Sequence, residues 1–358
     1  MKYALFIFLL VAMEVRAQTG GIDSAVLLRM QADVTNGVYP NLHSVLIARH
    51  GRLLYEHYWP GKDELLGRDL GVVAHDRDSL HDIRSCTKSI VSACIGIAIG
   101  QGKIKSVETP VFSFFPEYAA QDTGMKAALT IRDLLTMSSG LDWNESVPYN
   151  DPHNSEITMD RSPDPVGFVL SQSMVHPRGS YFNYNGGSTQ VLAAIIKKVS
   201  GKPIDEYARE NLFAPLGISH WLWLKVSPNS DMPSAAAGLR MRSRDLLKFG
   251  LLYQQEGKWE GRQLIPAWWV DSTLQPHIDR NGLGGKGGYG YQFWTFPYQL
   301  KDGIDEVPSC VGNGDQKVYI DRKHDLVVVV TGGNYNHFGI PKNANALLGD
   351  YIYPALGL

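Results

Sequence analysis

The chain has 358 residues, of which 44% are hydrophobic and 20% are charged. These proportions are those of an ordinary globular protein and exclude disordered and collagen-like chains. The length is sufficient for two domains or one large domain with a substantial core. The formal net charge of −2 leaves no basic excess, so neither nucleic acid nor an anionic membrane surface is a predicted partner.

The N-terminal segment differs from the rest of the chain. Lys2 supplies a positive charge, residues 4–13 are almost entirely apolar, and small residues suited to signal peptidase follow. We interpret residues 1–17 as a secretory signal peptide cleaved before Gln18, which predicts export to the periplasm or the extracellular space. The alternative is a membrane anchor, which the short apolar run disfavours because about 20 residues are needed to span a bilayer.

Three cysteines occur, Cys86, Cys94 and Cys310. An odd and sparse set of this kind is not a disulfide framework. Cys86 and Cys94 lie too far apart along one helical pattern to pair, so we predict that they are small, buried apolar residues.

The hydrophobic pattern predicts a β-hairpin, then helices, then strands. Two β-branched and aromatic runs, at 44–50 and 53–59, flank Gly51 and predict the hairpin. Residues 141–165 have no periodicity and are expected to be functional or disordered. The remaining elements are predicted helices at 85–101, 130–137, 188–199, 204–213 and 243–255, strands at 289–296, 316–321 and 326–331, and a closing helix at 343–353.

Strands at both ends of the chain, with helices between them, predict an α/β fold. We assign residues 18–110 and 235–358 to one α/β domain and residues 111–234 to an inserted, mainly helical domain. The four consecutive valines at 327–330 are typical of a strand buried at the centre of a sheet.

Several common catalytic patterns are absent from the sequence. It contains no G-x-S-x-G, H-E-x-x-H or C-x-x-C motif and no glycine-rich phosphate loop before a helix. The commonest α/β-hydrolase signature is therefore missing, and zinc lacks its usual ligand spacing. His43, His50 and His57 lie across the predicted hairpin and are interpreted as scattered surface histidines.

An S-x-x-K motif, formed by Ser85 and Lys88, opens a long apolar helix. The free N–H groups and the positive dipole end of a helix N-terminus favour developing negative charge at Ser85. Positions i and i+3 share one helix face, so Lys88 can reach the serine hydroxyl. Apolar surroundings favour the neutral amine of a lysine, which is the form that acts as a base. The alternative is a serine N-cap followed by a solvated lysine.

Tyr184 is a second candidate. It precedes Gly186 and Gly187 just before a predicted helix, and a tyrosine on such a turn at the mouth of a site can relay a proton to a leaving group. By itself it is equally compatible with a core or surface tyrosine.

A third candidate segment contains Asn313, Gly314 and Gln316 at the entry to a predicted strand. Glycine there allows a substrate to approach the backbone, and a strand-edge N–H together with the N–H of Ser85 would form an oxyanion hole. The alternative is a β-turn, since glycine and asparagine are turn residues.

These elements, in this order, resemble the serine β-lactamase and penicillin-binding-protein superfamily. The similarity is greatest to its class C-like branch, which includes family VIII esterases, D-amino-acid peptidases and aminohexanoate-dimer hydrolases. It extends from about Asp33 to the C-terminus. Further segments similar to family hallmarks, in matching order, are 130–141, 237–239, 243–246 and 289–291.

The resemblance implies an antiparallel β-lactamase-like sheet flanked by helices, with an inserted all-helical domain. It also implies a covalent two-step mechanism in which Ser85 attacks an ester or amide carbonyl while Lys88 and Tyr184 handle the proton. The N–H groups of Ser85 and Gln316 would hold the oxyanion. The mechanism needs no metal or organic cofactor.

Two departures from the family pattern bear on the substrate. The second family motif usually reads Tyr-x-Asn, whereas Gly186 occupies its third position here. β-Lactamases and transpeptidases have Lys-Thr-Gly where this chain has Asn313, Gly314 and Asp315. The missing lysine and the added carboxylate disfavour penicillins and D,D-peptides. We therefore predict an esterase or amidase acting on a small molecule, with Gly186, Asn313 and Gly314 near the substrate.

Two alternatives stay open. One is a penicillin-binding D,D-peptidase or β-lactamase, whose substrate would be peptide-like. The other is a non-catalytic binding or sensing domain, which would have no need of Ser85, Lys88 and Tyr184 together. The sequence predicts neither the physiological substrate nor the oligomeric state. Residues 141–165 and 220–235 are expected to form the pocket walls, with the candidates Trp143, Tyr149, Trp221 and Trp223.

Overall fold

The computed structural model describes residues 21–227, 230–283 and 285–358. The predicted signal peptide at residues 1–17 lies outside the described residues. Within those ranges, no helix combines the length and the apolar character that crossing a membrane requires.

An antiparallel sheet of eight strands organises the molecule, in the order β10-β11-β12-β13-β14-β15-β1-β2. The strands in chain order are β1 (Leu42–Arg49), β2 (Arg52–Tyr58), β3 (Gly61–Leu65), β4 (Arg68–Val73), β5 (Leu80–Asp82), β6 (Trp221–Trp223), β7 (Leu239–Arg242), β8 (Lys258–Trp259), β9 (Arg262–Gln263), β10 (Ile278–Asp279), β11 (Gly288–Tyr289), β12 (Trp294–Leu300), β13 (Gly303–Gly312), β14 (Gln316–Asp321) and β15 (Leu326–Gly332). Because β15 pairs with β1, the first hairpin and the last strands share one sheet. The predicted α/β fold with an antiparallel sheet is thereby confirmed.

The helices pack on both faces of this sheet. In chain order they are α1 (Ser24–Thr35), α2 (Cys86–Gly100), α3 (Ile131–Leu135), α4 (Ser155–Arg161), α5 (Pro165–Ser171), α6 (Gly186–Ser200), α7 (Ile204–Ala208), α8 (Ser243–Gln254), α9 (Ala267–Leu274), α10 (Ala344–Leu347) and α11 (Tyr353–Ala355). Short 3-10 turns cover Val111–Phe114, Pro116–Gln121 and Gly124–Ala128, and π-helical turns cover Arg209–Phe213 and Leu348–Ile352. The division at residues 111 and 234 into two domains stays a prediction.

The valine run at 327–330 is a central strand, as predicted. Val327 and Val329 face the larger core, which contains α2, α8 and the helices of the middle of the chain. Val328 and Val330 face a second core beneath α1 and the C-terminal helices. Because the two faces of a strand alternate, an unbroken apolar run is required where a sheet is covered on both sides.

Helix α2 lies inside the larger core rather than on its surface. All residues from 86 to 98 are buried, including Cys86 and Cys94, which are free thiols like Cys310. A helix that packs against the sheet on one side and against α6 and α7 on the other is covered nearly all round. The side chains at the start of this helix are therefore surrounded by protein and shielded from water.

Two expectations about local structure were wrong, and one helix was not predicted. The predicted strand at 289–296 is two strands, because Gln292 adopts φ +64° and donates from its N–H to the Leu135 carbonyl at 3.0 Å. The aperiodic segment 141–165 contains α4, which begins after an Asn154 cap and is too short for its periodicity to be visible. His43 is not a surface residue, because β1 is covered at this point and buries its ring against His75.

The packing of α2 leaves no room for a side chain at Gly96. A β-carbon at this position would lie 2.5 Å from Cγ of Trp269. We expect Gly96→Ala to lower the free energy of unfolding by roughly 1–3 kcal/mol, although alanine is the better helix former. Urea denaturation measures the change. Gly349→Ala, whose nearest neighbour is 4.0 Å away, is the matched control, and an unchanged Gly96→Ala midpoint would contradict the packing argument.

Candidate active site

Ser85 stands where the chain turns from β5 into α2. Its backbone has φ −65° and ψ −8°, and its side chain makes no capping bond to the helix. The preceding Arg84 has φ +48°, a left-handed conformation that is uncommon outside glycine and that sharpens the turn. A capping role for the serine is thus wrong, and the hydroxyl is available to other groups at the wall of a large pocket.

Lys88 is brought to Ser85 by the turn of helix between them. Its Nζ donates to Ser85 Oγ at 3.1 Å and to the Ala236 carbonyl at 2.9 Å. The side chain is only 1% exposed, so a solvated lysine is also wrong. A carboxylate oxygen of Glu156 lies 4.0 Å from the same Nζ.

Tyr184 meets the other two candidates from the turn before α6. Its ring lies 4.9 Å from Lys88 Nζ and packs on Trp294 at 5.5 Å, and its hydroxyl interacts with the Ser85 side chain. Burial and the nearby Glu145 raise the pKa of Tyr184 well above its usual range. The tyrosine therefore stays protonated at neutral pH and can donate a proton.

A cluster of three carboxyl side chains near Lys88, those of Glu145, Glu156 and Asp160, was not predicted from the sequence. Burial and the neighbouring Glu156 raise the pKa of Glu145 well above its usual range. The same two causes raise the pKa of Asp160 to about 8. These residues come from the aperiodic loop and from α4, where no spacing in the sequence indicates that three carboxyl groups meet a lysine.

The third candidate segment divides in the structure. Asn313 and Gly314 line the pocket beside Ser85, whereas Gln316 does not. Gln316 is fully buried, its amide donates to the carbonyls of Gly314 and Gly332, and its own carbonyl accepts from the Cys86 thiol at 3.6 Å. Among the described residues, neither the Ser85 N–H nor the Asn313 N–H has an acceptor.

Gly186 also lies behind the wall rather than on it. It is buried at the start of α6, and its N–H donates to Oε2 of Glu145. Gly186 therefore contacts the carboxyl cluster near Lys88 and does not form part of the pocket surface.

The pocket encloses about 1180 Å³, which is above the roughly 300–1,000 Å³ typical of small-molecule sites. Trp143 and Tyr149 line it as predicted. Trp221 and Trp223 do not, because they pack against Phe213 in the core. The further aromatic side chains on the wall are Tyr181, Phe182, Trp294, Phe296 and Phe338.

Two charged residues of the strand entry change the electrostatics expected there. The Asp315 carboxylate accepts from Asn334 Nδ2 at 2.8 Å and from the Ala344 N–H at 3.2 Å, so its charge is compensated. Lys317 lines the pocket with its Nζ 5.0 Å from the Phe296 ring. Burial lowers the pKa of Lys317 to about 8, which leaves it mostly cationic at pH 7.

Away from this pocket, three buried histidines have ring nitrogens within 4.8 Å of one another, as the ligands of one metal ion would. His43 and His81 bring their Nδ1 atoms to 3.4 Å. The rings of His43 and His75, however, are stacked at 3.8 Å and do not converge on a common point. The sequence prediction that no metal takes part in catalysis stays a prediction.

Two curated proteins are similar to this chain in sequence. The chain is 25% identical to the 6-aminohexanoate-dimer hydrolase of Paenarthrobacter ureafaciens over 70% of its own length and 66% of that enzyme. It is 23% identical to a putative D-alanyl-D-alanine carboxypeptidase of Escherichia coli K12, over 51% and 43% of the two chains. The chain therefore matches less than two thirds of either curated relative.

A family VIII carboxylesterase superposes with a TM-score of 0.70 at 16% identity, over 93% of this chain and 97% of the esterase. At that identity the likeness concerns the fold alone. The family model described as Beta-lactamase matches residues 29–349, which is most of the chain and includes Ser85, Lys88 and Tyr184. The chain belongs to the beta-lactamase family.

Proposed function

We propose that this protein is an exported serine hydrolase that cleaves small carboxylic esters or amides through an acyl-enzyme on Ser85. The observation that carries the proposal is the 3.1 Å contact between Lys88 Nζ and Ser85 Oγ at the wall of a pocket. At this distance the neutral amine of Lys88 can accept the proton of the Ser85 hydroxyl directly. The resemblance to aminohexanoate-dimer hydrolases and family VIII esterases supports the substrate class.

In the proposed first step, Ser85 Oγ attacks the substrate carbonyl while its proton passes to Lys88 Nζ. The Tyr184 hydroxyl then donates to the leaving oxygen or nitrogen and is reprotonated by Lys88, as the bond to the carbonyl carbon breaks. In the second step, water attacks the acyl carbonyl while the same groups move the proton in the reverse order. The bond to Ser85 Oγ then breaks, which releases the acid and restores the serine hydroxyl.

We propose that the oxyanion is held by the N–H groups of Ser85 and Asn313, each donor being worth about 3–4 kcal/mol of barrier. Asn313 replaces Gln316 in this role because Asn313 lies on the pocket wall with a free N–H. None of these steps uses a metal or an organic cofactor.

The second candidate is a penicillin-binding peptidase or β-lactamase. Lys317 favours it, because this lysine supplies a positive charge in the pocket although the family's Lys-Thr-Gly is missing. The pocket of such an enzyme must bind a substrate carboxylate.

Ser85→Ala tests the nucleophile. We expect the native protein to be labelled by a fluorophosphonate probe and to turn over p-nitrophenyl butyrate, and the variant to do neither. Labelling or turnover that persists in Ser85→Ala would refute the mechanism. Stable labelling by a fluorescent penicillin without ester turnover would favour the peptidase. A native protein that reacts with none of the three probes would favour the non-catalytic binder.

Lys88→Ala tests the base. The variant is expected to lose at least ~10²-fold in the acylation rate, which is the scale of general-base assistance. Stopped-flow acylation by p-nitrophenyl butyrate measures the change. Lys198→Ala removes a lysine from an exposed ion pair and is the matched control. A near-native rate in Lys88→Ala would exclude the role assigned to it.

Export is the remaining part of the proposal, and the apolar segment at residues 4–13 supports it. When the full chain is expressed in a Gram-negative host, the mature protein is expected to begin at Gln18 and to fractionate with the periplasm or the medium. Intact-mass spectrometry reads the N-terminus directly. An uncleaved chain in the cytoplasm would exclude export.

A further inference from the structure

The space beside Gly186 is already filled. A β-carbon on Gly186 would lie 2.9 Å from Cδ of Glu156 and 3.2 Å from Cβ of Ala236, and closer still to the Glu156 carboxylate oxygen. A glycine is therefore needed at Gly186, the third position of the motif that begins with Tyr184, because the carboxyl group of Glu156 occupies the place of a side chain there. That place is next to Lys88.

Glu156 is held firmly in this position. It belongs to the first turn of α4, and its N–H donates to the capping Asn154 side chain at 3.0 Å. It is 5% exposed, and its Oε2 has no hydrogen-bond partner among the described residues. The 4.0 Å separation from Lys88 Nζ makes this buried oxygen the lysine's nearest anionic neighbour.

Glu145 completes a carboxyl pair. Its Oε2 accepts from Gly186 N–H and from Trp143 Nε1, the latter at 2.5 Å, and its Oε1 accepts from the Tyr149 hydroxyl at 3.3 Å. Its side chain reaches that of Glu156. Burial and the neighbouring Glu156 raise the pKa of Glu145 well above its usual range, so Glu145 keeps its own proton at neutral pH.

We propose, on the basis of the proposed function, that Glu156 is the proton partner of Lys88. In the resting site the ammonium of Lys88 transfers one proton to the Glu156 carboxylate, which gives a neutral amine and a carboxylic acid. The amine then accepts the Ser85 proton during attack. Burial favours the exchange, because a neutral pair loses less solvation than an ion pair. Glu156 thereby positions the base without touching the substrate.

Other groups that titrate near Lys88 do not replace Glu156 in this role. Burial raises the pKa values of the Cys86 thiol and of the Tyr149 and Tyr184 hydroxyls well above their usual ranges. All three groups therefore stay protonated. The Ala236 carbonyl is neutral. The titratable groups that face Lys88 from the surrounding elements are Cys86, Glu145, Glu156, Asp160 and Tyr184, and Tyr149 reaches the site through Glu145.

The pH dependence of kcat/KM distinguishes a proton partner from a simple counter-ion. With Glu156 as partner, the native profile is level through neutral pH, because the pair always contains one transferable proton. In Glu156→Gln the internal proton acceptor is gone, so Lys88 must release its proton to solvent before it can act as a base. We therefore expect the variant to show an acid limb that the native profile lacks, with kcat/KM rising about tenfold per pH unit along it and lying below native there.

A counter-ion predicts the opposite sign. Removal of a negative charge then favours the neutral lysine, so the acid limb of Glu156→Gln would move to lower pH and activity at pH 7 would be unchanged or higher. That result would overturn the proposal. Glu117→Gln, which makes the same change in an exposed ion pair with Lys198, is the matched control.

A compensation experiment tests the shared space independently. Gly186→Asn alone should collide with Glu156 and lower both stability and acylation. Adding Glu156→Ala removes the collision, so the double variant should regain much of the stability that Gly186→Asn loses, as measured by its urea midpoint. A double variant no more stable than Gly186→Asn would contradict the shared-space argument. Fluorophosphonate labelling of the native protein separates this outcome from failure of the proposed function, which would abolish labelling in every variant.

Discussion

The burial of one lysine beside one serine is the constraint around which the site is arranged. Lys88 belongs to a helix that is covered on all sides, so its nitrogen must find polar partners inside the core. It finds the Ser85 hydroxyl on its own helix, the Ala236 carbonyl just before β7, and Glu156 on α4. Three distant parts of the chain meet at this nitrogen, so the charge balance of the site depends on the tertiary fold.

The sheet makes this burial possible. Its central strand, β15, is covered on both faces by separate cores, and the join between β15 and β1 brings the ends of the chain together. Helix α2 can then pack against β13 with no surface left to water. Gly312 packs so closely against the Ile83 backbone that a β-carbon would not fit there. This close approach places Asn313 at the edge of the pocket near Ser85, at the start of α2.

The carboxyl groups beneath Lys88 give the site an unusual electrostatic character. A lone buried lysine is destabilised by lost solvation, whereas a lysine beside a shared-proton carboxyl pair is compensated. Gly186 belongs to the same arrangement, because its missing side chain leaves room for Glu156 and its N–H binds Glu145. The glycine that departs from the family motif is therefore explained by a residue thirty positions earlier in the chain.

The sequence alone determined the fold class, the first hairpin, the central valine strand, the start of α2 and the catalytic candidates Ser85, Lys88 and Tyr184. These depend on periodicity and on short spacings along one helix, which local patterns record. The tertiary structure alone decided which N–H groups face the pocket, that Trp221 and Trp223 do not line it, that His43 is buried, and that Glu145 and Glu156 meet Lys88. Those relations join segments far apart in the chain, and no spacing within the sequence encodes the distance between such segments once they are packed.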